Sequence, residues 1–71
     1  MLFIRFHTPK YGAVWLNPTS ITQVRASILE HDATAIFLVD GTCLTTTNPL
    51  YVVLDKLAHP EPEERLEVFA G

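Results

Sequence analysis

Apolar and polar positions along the chain change period once, near residue 48, and that change divides it into a strand-rich part and a helix. Leu2 to His7 alternates with Leu2, Ile4 and Phe6 on one face and Phe3, Arg5 and His7 on the other; branched and aromatic residues at this spacing predict a strand. Thr8-Pro9-Lys10-Tyr11-Gly12 breaks it, and Ala13 to Leu16 predicts a second short strand ended by Asn17-Pro18-Thr19-Ser20, because proline disfavours helical geometry at the residue before it. Ile21 to Ile28 predicts a third strand, with Thr22, Val24, Ala26 and Ile28 on its buried face. After the polar break Glu30-His31-Asp32, Thr34 to Val39 is apolar on both faces, as a central strand requires. Asp40-Gly41 predicts a type I′ hairpin into Thr42 to Thr47, since both central residues of that turn need positive φ.

Beyond Thr47 the period becomes helical. Asn48 suits an N-cap and Pro49 the first helical position, where a missing N–H costs nothing. Leu50, Val53, Leu54 and Leu57 fall at i, i+3, i+4 and i+7, one apolar stripe, and Pro60 stops the helix. The expected fold is α+β: a five-stranded antiparallel meander, twisted and partly barrel-like, with the helix over residues 48–58 packed on one face. Residues 1–59 form the domain. Residues 60–71 form an acidic Pro/Glu tail that reads either as further helical turns over 63–69 or as an edge strand over 66–70, and that is expected to dock on a neighbouring subunit.

Size changes the picture next. The chain has 71 residues, 48% of them hydrophobic and 18% charged. This excludes a disordered polar chain, yet surface scaling lets a domain of this mass bury only about 60% of its unfolded surface. Such a core needs support. Cys43 is the one cysteine, so no intrachain disulfide forms. Self-association remains as the expected support, as a dimer or a ring. Phe3 and Trp15 are candidate anchors on the sheet, and Leu66 and Phe69 in the tail. The apolar runs are too short to span a membrane, and the first residues lack the order of a secretion signal, so the expected location is cytoplasmic.

Charge is unevenly placed. The first 29 residues hold Arg5, Lys10 and Arg25 and no acid, while the remainder holds eight acids against Lys56 and Arg65. The three early cations interleave with Phe3, Phe6, Tyr11 and Trp15, a pattern that grips single-stranded nucleic acid. Three cations are few for that task and the isoelectric point is about 5.4.

Catalytic chemistry finds little support. Cys43 has no basic neighbour in sequence, and His7, His31 and His59 lie far apart with no paired ligand spacing. Glycine is limited to Gly12, Gly41 and Gly71, so there is no phosphate loop. No catalytic, cofactor-binding or metal-binding residue is assigned. The expected role is a non-enzymatic interaction or assembly module acting as a homo-oligomer, with an unknown protein partner. The alternatives are a nucleic-acid-binding regulator using Arg5, Lys10 and Arg25, and a small-molecule binding module.

Residues Val14 to Leu57 resemble the FlbD family of small flagellar proteins. The likeness rests on Leu16-Asn17-Pro18, on Ile21 and Val24, on Asp32 to Leu38, on Asp40-Gly41, and on Leu50 to Leu57. A fainter rhythm is similar to LytTR-type DNA-binding domains. The resemblance implies an N-terminal strand, an Asp-Gly hairpin and a terminal amphipathic helix. The chain differs in its longer Thr8 to Gly12 loop, its less basic helix and its Pro/Glu tail.

Overall fold

A computed structural model of the chain describes residues 1–69. Its strands are β1 (Leu2–Thr8), β2 (Gly12–Leu16), β3 (Ile21–Ala26), β4 (Thr34–Leu38), β5 (Cys43–Thr46) and β6 (Arg65–Glu67), with one helix, α1 (Leu50–Ala58), between β5 and β6. All strand pairs are antiparallel, in two sheets of three, ordered β2-β1-β6 and β3-β4-β5. The α+β class therefore holds. The single five-stranded meander does not: there are six strands, and among the described residues they do not close into a barrel.

The division into two sheets starts at residues 17–20. Asn17 Oδ1 accepts from the Thr19 N–H at 2.9 Å, and the Asn17 carbonyl accepts from the Ser20 N–H at 2.9 Å, closing a 3₁₀ turn over Pro18–Ser20. That turn redirects the chain, so β3 pairs with β4 and not with β2. The sheets meet where the Thr47 N–H donates to the His7 carbonyl at 3.1 Å.

Both inner faces enclose one core. Ile4, Phe6, Ile36 and Val53 are fully buried there, with Leu2, Val14, Leu16, Ile21, Val24, Leu38 and Leu57 packed around them. Ile4 and Phe6 come from the alternating face of β1, as expected. On β3 the expected parity fails. A register shift between Ile21 and Gln23 turns both Ile21 and Val24 inward, opposite Leu38 and Ile36, because an extra residue flips every side chain beyond it. The strand also ends at Ala26. Ser27 Oγ accepts from the N–H groups of Leu29 and Glu30, forming a loop that leaves Ile28 97% and Leu29 90% exposed.

The Asp40-Gly41 hairpin forms with a different turn. Gly41 has φ +89° and Asp40 is not left-handed. The Gly41 N–H donates to the Leu38 carbonyl, and the Leu38 N–H to the Thr42 carbonyl. This is a three-residue loop with glycine at its left-handed position.

The helix begins one residue later than expected. Pro49 is its N-cap, and the Pro49 carbonyl accepts from the N–H groups of Val52 and Val53. Asn48 instead ties the strand ends together: its carbonyl accepts from Thr34 Oγ1 at 2.8 Å, and its Oδ1 from Thr46 Oγ1 at 3.3 Å. The buried stripe is rotated accordingly. Val53 and Lys56 are the buried residues of α1, whereas Leu54, expected underneath, is 49% exposed. Lys56 takes the inner position by laying its ammonium 5.0 Å from the Phe6 ring centroid, with its apolar stem replacing a leucine.

The tail returns to the first sheet. After a 3₁₀ turn at Pro62–Glu64, β6 pairs with β1 in the register Leu2↔Glu67, Phe3↔Leu66 and Ile4↔Arg65. The Met1 ammonium donates to the Val68 carbonyl, and the Val68 N–H donates back to the Met1 carbonyl. In this chain the strand docks on its own β1, and Arg65–Glu67 complete that sheet. Of the edge strand expected over 66–70, Ala70 lies outside the described residues.

The helix orientation makes a direct prediction. Val53→Ala removes a fully buried side chain and costs about 2 kcal/mol, whereas Leu54→Ala costs less than about 1 kcal/mol. Urea midpoints of the two variants check this, and the reverse order contradicts the helix orientation.

Candidate functional site

The outer face of the β2-β1-β6 sheet carries the candidate site. Direct cross-strand partners share a face, and the registers pair Phe3 with Leu66, Arg5 with Trp15, and His7 with Ala13. Met1 and Val68, bonded to each other, continue the Phe3–Leu66 side by two residues. The result is a continuous apolar face of Met1, Phe3, Trp15, Leu66 and Val68. Phe3 is half-buried, and the other four are between 40% and 66% exposed. Among the described residues nothing covers it, because α1 lies over the core on the opposite side of the sheet.

Arg5 sits within this face. Its guanidinium lies 5.9 Å from the Trp15 ring centroid, at the outer reach of a cation–π contact. Its Nε is enclosed with no hydrogen-bond partner.

The structure thus brings together three of the four expected anchors: Phe3, Trp15 and Leu66. Phe69, the fourth, follows Val68 and is 83% exposed, beyond the paired register. Met1 and Val68 were missed by sequence reasoning. Their membership follows from the β1–β6 register, and no local pattern marks it.

The three cations Arg5, Lys10 and Arg25 do not gather on one sheet. Arg5 lies on β1. Lys10 lies in the β1–β2 turn, 5.3 Å from the Tyr11 ring centroid. Arg25 lies on the outer face of the other sheet, 4.7 Å from the Phe37 ring centroid.

Beside the β1–β6 junction lies a second feature that sequence reasoning missed. Lys56 Nζ and Glu64 Oε2 are 2.6 Å apart, with the side chains 8% and 25% exposed. The Lys56 hydrogen bond holds the Glu64 carboxyl below its ordinary range, with weaker help from Arg5 and His7 and against a smaller effect of burial. The pair lines a cavity of about 160 Å³ with His7, Asp55, His59 and Glu61. Despite these imidazoles and carboxylates, no group of three or more His, Cys, Asp or Glu among the described residues is placed to hold a metal ion. Cys43 is exposed on β5. No helix among the described residues is long and apolar enough to cross a membrane.

Comparison with known proteins found no matching family model, no matching curated protein and no matching solved structure.

Glu64 makes stability depend on pH. Its folded pKa lies below its unfolded value, so the bridge contributes fully above the ordinary glutamate value of 4.5. The contribution is lost as pH falls from there through the folded value. Urea unfolding of wild type across this window is expected to show the decline, and Glu64→Gln to flatten it. Equal pH dependence in the two proteins contradicts the assignment.

Proposed function

We propose that the protein is a non-enzymatic assembly module that associates with a second copy of itself through the outer face of the β2-β1-β6 sheet. The observation that carries this reading is the apolar face of Met1, Phe3, Trp15, Leu66 and Val68, built from three strands and left uncovered. A contiguous exposed apolar surface with large aromatics at its centre is characteristic of an interface.

Two further observations favour a second copy as the occupant. The folded chain exposes 4817 Å², above the roughly 4,400 Å² expected for a compact chain of this mass. Covering a sheet face removes such an excess. The apolar face is also self-complementary. A two-fold axis running along β1 between two stacked faces sets β2 of one copy over β6 of the other. Leu66 and Val68 of one copy then lie over the strand that carries Trp15 of the other.

Sedimentation equilibrium from micromolar to millimolar concentration tests the reading. Wild type is expected to associate reversibly. Trp15→Glu and Leu66→Glu, at exposed positions, are expected to weaken association at least about tenfold while keeping the circular dichroism of the folded chain. A folded wild-type monomer of about 8 kDa at every concentration overturns it.

A further inference from the structure

Two of the five residues of the apolar face, Leu66 and Val68, lie in β6 or directly after it, and β6 has few attachments. All three of its residues are exposed. Its pairing spans three register positions and the reciprocal Met1–Val68 bonds. The connector reaching it holds Pro60 and Pro62, which have no N–H to bond. A further anchor lies at its entry. Glu64, the residue immediately before β6, is bridged to Lys56, and Lys56 is held by α1 with its ammonium over the Phe6 ring.

We propose that the Lys56–Glu64 bridge is a latch that controls self-association. Closed, it seats β6 on β1, so that Leu66 and Val68 complete the apolar face. Open, it frees β6, takes those two residues out of the face and separates the copies. The proposal rests on the sheet face being the association surface.

The physical basis is the environment of Lys56. Removing one partner of an enclosed ion pair leaves the other charge without compensation, and here that charge is the ammonium of a side chain 8% exposed at the edge of the core. It regains water most fully when the 3₁₀ turn that carries Glu64 moves away, and that turn leads into β6. The surrounding charges are mixed. Arg5 and His7 of β1 attract the Glu64 carboxylate, and His59, the C-cap of α1, lines the same cavity. Asp55 of α1 and Glu61 of the connector share the same cavity and oppose it. The latch therefore opens when Glu64 itself takes up a proton, below the ordinary glutamate range because the Lys56 hydrogen bond lowers its pKa.

The test compares full-length wild type, Glu64→Gln and the reversed pair Lys56→Glu/Glu64→Lys. Association is read by sedimentation, and backbone opening by amide hydrogen exchange. In Glu64→Gln, exchange at residues 66–68 is expected to rise at least about tenfold while Ile36 stays protected, and association to weaken at least about tenfold. The reversed pair is expected to recover part of both. Should Glu64→Gln fail to fold, lowering the pH of wild type below the ordinary glutamate range supplies the same comparison. Wild-type association with an equally associated Glu64→Gln overturns the latch and leaves the assembly reading standing. A wild type that never associates overturns both. In that case faster exchange at residues 66–68 in Glu64→Gln shows the bridge seating a strand without controlling assembly.

Discussion

One short helix must close a core shared by two sheets. Nine residues of α1 supply a single fully buried side chain, Val53, which meets Ile4 and Phe6 from one sheet and Ile36 from the other. Everything else in the arrangement answers to that economy. The sheets lean together because only a common core lets one helix serve both. Lys56 lies inward because its stem extends the helix's reach over Phe6. Each sheet keeps an outer face that no layer among the described residues covers.

The consequence appears first at the β2-β1-β6 sheet. A strand with apolar residues on both faces, Ile4 and Phe6 inside and Phe3 outside, is ordinary in a sheet covered on both sides. In this chain only one side is covered. The same arithmetic explains the tail: Leu66 and Val68 gain a place beside Phe3 by adding a short strand to the free edge of β1. The assembly proposed above supplies the missing layer from outside the chain, and the Lys56–Glu64 bridge links that outer layer to the helix that closes the core.

Much of the architecture was legible in the residues. The strand periodicities of β1 and β4, the breaks at Pro9 and Pro18 and the helical period after Thr47 each reflect local backbone preference, and each element formed close to its expected place. What failed did so for non-local reasons. The bulge in β3 reverses the alternation that placed Thr22 and Val24 together. The turn at Pro18–Ser20 decides between one sheet and two through the hydrogen bonds of Asn17. Leu54 belongs to the apolar stripe by spacing, but Lys56 wins the inner position because Glu64, eight residues onward, returns to meet it. Phe3, Trp15 and Leu66 could be singled out as large apolar residues on strands. That they share one face depends on the register of β6, which no window of sequence contains.

Trp15 is the one tryptophan in the chain, and it stands on the face assigned to the second copy, which makes its fluorescence the most direct test of the central claim. On concentrating the protein from micromolar to millimolar, the emission is expected to move to shorter wavelength and quenching by acrylamide to fall, as a partly exposed indole loses water to a neighbouring copy. Emission and quenching that stay the same across that range, at native circular dichroism, contradict the account.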